Sequence, residues 1–293
     1  DTTNTENSEF YGVNASLLAK SNSTININNS NIQTDSKGSN AVFATGENAK
    51  IYIKDTTINT SKDSSRGLDA TYGGYIEADN VTISTKGGSC ATLATDRGEG
   101  TVIAKNSNLS TQGSGSPIIY STGSITLEDS KGKASGAQNI VIEGKNSATV
   151  TNSTLSASGK GNRNNVDNCG VMIYQSMSGD AGEGTGTFTA KDSTLKIDSD
   201  SEYYSSAPFF FITNTNAVIN LENNNIEYGS NILLKAAATT EWGKTGSNGG
   251  VVTLNASNQK LVGNIESDKI SEAQINLKNS SSWEGKINSD NIA

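Results

Sequence analysis

The chain of 293 residues has no histidine, two cysteines and two prolines. The missing histidine excludes Ser-His and Cys-His nucleophilic pairs and every metal site with an imidazole ligand. No apolar run approaches the roughly 18 residues that a membrane span needs, so we expect no membrane span. The net charge of −8 makes nucleic acid and anionic lipid unfavourable partners.

The apolar residues that are present recur in register. Only 33% of the chain is hydrophobic, yet Ile, Val and Leu return at regular places, which a disordered segment has no reason to maintain. The phrase "AKIYIKDTTINTS" (49–61) has close copies along the chain, such as "GYIEADNVTISTK" and "GTVIAKNSNLSTQ". Such self-similarity indicates a solenoid, in which each repeat buries its apolar face against its neighbours.

An Asn or Asp occupies the same place in each copy. Asn and Asp tolerate tight left-handed corners, and stacked copies can bond to one another. An apolar residue follows three positions later in nearly every copy and is expected in the core; the copy with Asp129 has Gly132 there instead. The corner residues are Asn29, Asp55, Asn80, Asn106, Asp129, Asn152, Asp192 and Asn223.

Each repeat contains three short runs that alternate with period two and are rich in Ile, Val and Thr, which predicts strands. Three strands and three corners per repeat predict an all-β fold, a right-handed parallel β-helix of about ten rungs. We expect one domain over residues 1–293, with a polar lead-in at 1–11, rungs over 12–269 and a degenerate capping rung at 270–293. Long loops are expected at 159–168, 176–187, 198–207 and 238–250.

The first strand of each rung is apolar on both faces, which usually means burial on both faces. One column of side chains lines the interior. The other column is expected to be covered by a loop, by the N-terminal segment or by a second copy of the protein, which would allow self-association, or else to be exposed. The aligned columns are Phe43, Asp69, Leu93, Tyr120, Ile142, Ile173, Phe211 and Leu234, and Val42, Leu68, Thr92, Ile119, Val141, Met172, Phe210 and Leu233.

In the turn after this strand, the corner pattern gives way to unlike residues. Tyrosine and tryptophan rings can stack on a sugar, and carboxylates can bind hydroxyl groups or calcium. The candidate ligand-binding residues are Asp69, Tyr72, Asp96, Arg97, Glu143, Lys145, Tyr174, Asp180, Lys235 and Trp242, and the candidate metal ligands are Asp69, Asp96, Glu143, Asp180 and Glu183. The alternative interpretation is a solvated rim with incidental salt bridges.

The segments "SSRGLDATYGGYI", "CATLATDRGEG", "GSPIIYSTGSIT" and "GVMIYQSMSGDAGEGTGTF" resemble adhesin-like right-handed β-helix proteins that anaerobic, Firmicutes-type bacteria secrete or display. The chain is more distantly similar to carbohydrate-binding β-helix proteins, some of which bind calcium. The resemblance implies a non-catalytic protein of the bacterial cell surface that binds polysaccharide or a cell-surface glycan, with no cofactor assigned and calcium as a candidate. The alternative is a polysaccharide lyase or glycoside hydrolase that acts on an acidic glycan; no catalytic residue is assigned.

Two further expectations concern the cysteines and the chain start. Cys90 and Cys169 are expected three rungs apart, roughly 14 Å at strand spacing, whereas a disulfide needs Cα atoms within about 7 Å, so both are predicted to be free thiols. Asp1 has no methionine or hydrophobic leader before it, and we expect that any targeting segment was removed or was never present.

Overall fold

The computed structural model describes residues 5–290. Residues 1–4 of the expected lead-in and 291–293 of the expected capping rung lie outside this range. The described part contains one α-helix, Thr5–Tyr11, followed by short strands that form three long parallel sheets. We call these sheets A, B and C in the order in which the chain visits them.

Sheet A has eleven strands. They are Leu17–Lys20, Val42–Thr45, Leu68–Thr71, Leu93–Thr95, Ile119–Ser121, Ile140–Glu143, Val171–Tyr174, Phe210–Thr213, Ile232–Ala236, Asn264–Ser267 and Ile287–Ser289. Sheet B has ten strands. They are Thr24–Asn28, Lys50–Lys54, Tyr75–Asp79, Thr101–Lys105, Ser124–Glu128, Ser147–Thr151, Thr185–Lys191, Thr215–Glu222, Gly250–Ser257 and Glu272–Lys278.

Sheet C has eight strands. They are Asn31–Thr34, Thr57–Thr60, Thr82–Thr85, Asn108–Thr111, Lys131–Ala134, Thr154–Ala157, Thr194–Ile197 and Asn225–Glu227. Beyond its last strand, Lys260–Val262 and Ser282–Glu284 form a separate parallel pair. The chain passes repeatedly through A, B and C, and each strand pairs with the strand of the next rung, so the prediction of a parallel β-helix with about ten three-stranded rungs is confirmed.

The corner residues explain how the chain turns between sheets B and C. All eight predicted corner residues have φ between 46° and 53°, the left-handed region in which Asn and Asp are the most readily tolerated residues after glycine. Asn258 and Asn279 continue the column in the last rungs with φ of 48°. The corner prediction is therefore confirmed along the described chain.

The apolar residues three positions after these corners lie in the core, as predicted, except Ile226, which is partly buried against it. Ile58 and Ile83 are fully buried and pair in register across sheet C. Gly132 has no side chain, and the side chains of Leu155 and Ile118 fill its place in the core. A Cβ at Gly132 would lie 2.7 Å from Leu155 and 2.8 Å from Ile118. Cys90 and Cys169 are buried and free, which confirms the thiol prediction.

Candidate functional site

The outer face of sheet A is where the fold departs most from a plain solenoid. In its register, Phe43 pairs with Asp69, Asp69 with Ala94, and Ala94 with Tyr120. The outer column runs on through Val141, Met172, Phe211, Lys235 and Glu266.

The sequence alignment of this strand was therefore wrong in part. Leu93, Ile142 and Ile173, which it placed beside Asp69 and Tyr120, belong to the interior core. The turns before the first strand differ in length from rung to rung, and a shift of one residue in a strand moves a side chain to the opposite face.

The chain itself covers the outer column in two places. Helix Thr5–Tyr11 and the residue after it cover the first rungs: Gly12 lies against the Phe43 ring, and the Thr71 hydroxyl donates to the Phe10 carbonyl at 2.8 Å. In the later rungs, Val166 and Trp242 come from two long loops and pack on Val141, Met172 and Phe211. Within residues 5–290, the apolar members of this column, such as Phe43, Val141, Met172 and Phe211, are therefore buried by the chain itself.

A cavity of about 220 Å³ lies between these two covers, above the middle rungs of sheet A. It combines residues of the sheet with residues of five inter-strand loops. Its polar and aromatic lining consists of Tyr120, Gln138, Glu143, Asn162, Arg163, Tyr174, Ser176, Ser178, Asp180 and Trp242. Four of the ten predicted ligand residues are thus brought together here: Glu143, Tyr174, Asp180 and Trp242.

Glu143 forms the floor of the cavity and is almost fully buried. Its Oε2 accepts hydrogen bonds from the hydroxyls of Tyr120 at 2.8 Å and Tyr174 at 2.9 Å. Its Oε1 accepts from the backbone N–H of Ser176 at 3.2 Å and from the Ser176 hydroxyl. Burial, more than the neighbouring charges and hydrogen bonds, raises the pKa of both tyrosines well above the usual 10, so both hydroxyls stay protonated and donate.

The wall of the cavity contains a close aromatic pair. The ring centroids of Tyr174 and Trp242 lie 4.5 Å apart, with an angle of 44° between the ring planes. Trp242 comes from the loop between the sheet A strand Ile232–Ala236 and the sheet B strand Gly250–Ser257. Contact with Tyr174 thus fixes the position of a long loop over the sheet.

Arg97 connects the cavity to the N-terminal helix. Its Nε and Nη2 donate to Asp180 Oδ1 at 3.0 and 2.8 Å, and its Nη1 donates to Glu6 Oε1 at 2.9 Å. The guanidinium carbon also lies 3.8 Å from the centre of the Phe10 ring, in a cation–π contact. Ser178 donates to the other Asp180 oxygen at 3.1 Å, so both oxygens of this carboxylate are engaged.

Asp69 and Asp96 lie near the N-terminal helix and do not line the cavity. Arg66 Nη2 lies 3.0 Å from Asp96 Oδ2, and Arg66 Nε lies 3.8 Å from Asp69 Oδ2. Asp69 is 0% exposed, and neither of its oxygens accepts a hydrogen bond. Burial and then the neighbouring Asp96 carboxylate raise the pKa of Asp69 well above 3.8. A protonated Asp69 can donate to the Asp96 carboxylate, so we expect the two acids to share one proton.

The remaining predicted residues are dispersed. Tyr72 stacks on Tyr11 of the helix with ring centroids 5.4 Å apart. The others form ion pairs or line another depression: Lys145 with Glu99 at 2.7 Å, Lys235 with Asp167 at 2.6 Å, and Glu183 beside Asn214 and Lys244.

The sequence did not indicate Tyr120, Ser176, Ser178 or Arg163 as site residues. Tyr120 was assigned to an apolar column. A tyrosine hydroxyl in a buried position needs a hydrogen-bond partner, and this was a signal in the sequence that a polar group lies nearby. Arg163 was a recognisable signal, because it is the one arginine in the inserted run "GKGNRNNVDN" (159–168). Its side chain is 55% exposed, and its Nε lies 3.6 Å from Glu241.

The five carboxylates considered for calcium do not form one ligand shell. Across residues 5–290, no three Asp, Glu or Cys side chains are grouped so that they could hold a metal ion. The oxygens of Glu143 and Asp180 are engaged by internal donors, and the other three residues lie elsewhere, so the residues present do not fit a calcium site. In the same part of the chain, no helix has the length and apolar character to cross a membrane.

No protein-family model, no curated protein and no solved structure matches this chain.

Proposed function

We propose that the protein is a non-catalytic, extracellular, adhesin-like protein that binds a polysaccharide or a cell-surface glycan through the cavity above sheet A. The observation that carries the proposal is the Tyr174–Trp242 pair, which forms an aromatic wall beside the polar floor of a cavity on the outside of the solenoid. Sugar rings have an apolar face and a rim of hydroxyl groups, and they need both kinds of surface.

The cavity accommodates only a small group. Its volume of about 220 Å³ is below the range of roughly 300–1,000 Å³ that is usual for sites of drug-sized ligands. We therefore assign to it a single sugar residue of a longer chain, with the neighbouring residues lying across the loops.

The side chain of Arg163 favours an acidic sugar over a neutral one in this cavity. Its terminal guanidinium nitrogens make no hydrogen bond with the described residues, while its Nε faces Glu241. A free guanidinium edge matches the two oxygens of a sugar carboxylate. The net charge of −8 opposes an acidic glycan at long range but is screened beyond roughly 8–10 Å at ordinary salt, so contact with Arg163 is expected to dominate.

The engaged carboxylates favour binding over catalysis. A glycoside hydrolase uses two carboxyl groups, one as proton donor and the other as base or nucleophile. In this cavity Glu143 receives four internal hydrogen bonds, and Asp180 is held by Arg97 and Ser178. Every oxygen of the two carboxylates already accepts an internal hydrogen bond, so neither acid is free to transfer a proton. This supports a site that binds a glycan without cleaving it.

The extracellular assignment rests on the resemblance to adhesin-like β-helix proteins and on the Thr-, Asn- and Ser-rich acidic composition. Carriage on the surface of an anaerobic bacterium is part of the same proposal.

The test is retention on insoluble polysaccharides and titration with soluble acidic and neutral oligosaccharides, with absorbance and reducing-end assays for cleavage. Trp242→Ala is expected to weaken binding about tenfold or more, because aromatic anchors are typical binding hot spots. Tyr52→Ala, which removes an exposed aromatic ring from sheet B, is the matched control and is expected to bind as the parent does.

Arg163→Gln separates the two sugar classes. It is expected to reduce binding of galacturonate oligomers while binding of neutral oligomers changes little, and Lys160→Ala on the same loop serves as the charge control. Equal binding by the parent and by Trp242→Ala would move the site away from this cavity. An unsaturated product or new reducing ends would establish the lyase or hydrolase alternative.

A further inference from the structure

Sheet C is interrupted at one place where the other two sheets are continuous. Between the rung that contains Asn225–Glu227 and the rung that contains Lys260–Val262, sheets A and B pair normally through Phe210 with Leu234 and Val218 with Thr253. No strand pairing joins Asn225–Glu227 to Lys260–Val262. A cleft of about 460 Å³ separates them.

At the corner before these two strands, one long side chain spans the gap between the two rungs. In earlier rungs, a short side chain accepts a hydrogen bond from the backbone N–H of the preceding rung; Ser153 Oγ, for example, accepts from Ser130 at 3.0 Å. At the break the acceptor is Gln259 Oε1, which receives the N–H of Asn224 at 2.7 Å. Glutamine reaches two bonds further from Cβ than serine, so it spans a wider gap at the same place in the repeat.

Gln259 also replaces the first hydrogen bond of the missing ladder. In the previous rung the N–H of Asn225 donates to the carbonyl of Ser193 at 2.9 Å. The equivalent carbonyl at the break, that of Asn224, instead accepts from the Gln259 side-chain amide at 2.7 Å. We call these two hydrogen bonds between Gln259 and Asn224 the first pin of the cleft. Gln259 is 1% exposed, so the first pin is part of the buried structure and does not result from fraying.

A hydrogen bond from Tyr228 to Val262 forms a second pin at the other end of the cleft. The Tyr228 hydroxyl crosses the gap and donates to the carbonyl of Val262. Gly263 permits this contact, because its φ is 125° and a Cβ there would lie 2.1 Å from the Tyr228 oxygen. The floor is apolar and includes Ile226, Leu261 and Leu233, the last at an irregularity in the pairing of its strand.

We propose that this cleft is a second carbohydrate site, built for one uncharged sugar ring. No neighbouring strand pairs with its two facing edges, where the carbonyls of Asn224, Lys260 and Val262 accept from Gln259 and Tyr228. Its walls carry the side chains of Asn231 and of Asn225, whose amide donates to Glu227. These groups match ring hydroxyls, which both donate and accept, while the apolar floor and the Tyr228 ring match the face of the ring. An extended peptide fits poorly, because the two pins cross the cleft at both ends.

This site is independent of the cavity above sheet A and does not rest on the function proposed for it. The test combines calorimetric titration with hydrogen exchange, using cellohexaose, xylohexaose and mannohexaose as probes. Binding of at least one of them is expected to slow exchange of the backbone amides in segments 225–228 and 260–262. Asn225→Trp, at an exposed position on the rim, is expected to weaken that binding about tenfold or more.

Thr194→Trp is the matched control, because Thr194 is the in-register partner of Asn225 one rung away and does not line the cleft. It is expected to bind as the parent does, and so is Trp242→Ala. The proposal is overturned if no probe protects the two segments, or if Asn225→Trp retains full binding. Protection by an extended peptide and not by any sugar would also overturn it and identify the cleft as a strand-docking site.

Discussion

The side-chain amide of Asn80 donates to Asp55 Oδ1 at 2.6 Å, from one rung of the solenoid to the next. Both residues have left-handed backbone conformations, with φ of 53° and 49°. Asn223 and Asp192 repeat the contact at 2.6 Å several rungs further along. Asn and Asp therefore perform two tasks at this corner: they adopt the left-handed backbone conformation, and their side chains form hydrogen bonds between adjacent rungs.

Replacing Asp55 separates these two tasks. Asp55→Gly removes the hydrogen bond but keeps an unstrained left-handed corner, and is expected to cost about 1 kcal/mol. Asp55→Ala loses the same bond and also places a Cβ in the left-handed region, which adds about 1–2 kcal/mol. Urea unfolding of both variants checks the order; equal stability of the two would show that backbone strain has no role here.

Ile58→Ala tests the core column that follows this corner. Ile58 is 0% exposed and stacks in register between Ile32 and Ile83, so truncation leaves a cavity between two rungs and is expected to cost about 2–5 kcal/mol. Thr57→Ala, at the exposed neighbouring position, is the control and is expected to change stability by less than about 0.5 kcal/mol. A smaller loss for Ile58 than for Asp55→Gly would contradict the assignment of inward and outward positions.

The repeat made most of the fold predictable from sequence. Each rung obeys the same local rules, so the corner at Asp55 and the core position at Ile58 are seen again in copy after copy. The site is different, because its contacts join distant parts of the chain: Arg97 and Asp180 are 83 positions apart. Loss of the corner pattern marked Glu143 and Tyr174 as unusual, but no period indicates which partner each charge will meet.

The helix Thr5–Tyr11 is one part of the fold that the sequence did not predict. It has only seven residues and lies in a segment that was expected to be a polar lead-in. Its position depends on Phe10 against Arg97 and Tyr11 against Tyr72, contacts with rungs far along the chain. Local periodicity carries no information about such contacts.

The two cysteines are expected to be inert in the folded protein. Burial raises the pKa of Cys90 to about 11 and raises that of Cys169 above its usual value as well, so little thiolate forms at neutral pH. A thiol reagent at about pH 8 is expected to find no reactive group in the native protein and two after denaturation without reductant. No reactive group after denaturation would mean that the chain contains a disulfide.

Tyr174→Phe distinguishes the structural role of Glu143 from the role of the aromatic wall. The variant keeps the ring beside Trp242 but removes one donor from a buried carboxylate, which is expected to cost about 1–3 kcal/mol of stability. Glycan binding is expected to change little, in contrast to Trp242→Ala. Tyr52→Phe, at an exposed tyrosine, is the control for loss of a hydroxyl. Unchanged thermal stability of Tyr174→Phe would show that the hydrogen bonds to Glu143 do not stabilise the floor of the cavity.

The buried acid pair gives a prediction about pH. The pKa of Asp69 in the folded protein is raised by burial and then by Asp96, while Arg66 opposes the shift and Glu9 of the N-terminal helix adds to it. The folded state therefore holds a proton that the unfolded state releases, and stability falls as pH rises. This contribution is fully present below the ordinary value of 3.8 and is lost as the pH rises through the raised value.

Asp69→Asn removes the titrating group while preserving the shape of the side chain, and its amide can donate to Asp96. We expect the variant and the parent to have similar melting temperatures near about pH 4, where the parent holds the shared proton. The variant is expected to become the more stable of the two as the pH is raised toward about 9, because only the parent must then bury a second negative charge beside a single arginine. Asp200→Asn, at an exposed loop position, is the control and is expected to follow the parent at every pH. A pH-independent difference between Asp69→Asn and the parent would show that the two acids do not share a proton, and that the orphaned oxygens of Asp69 have another partner.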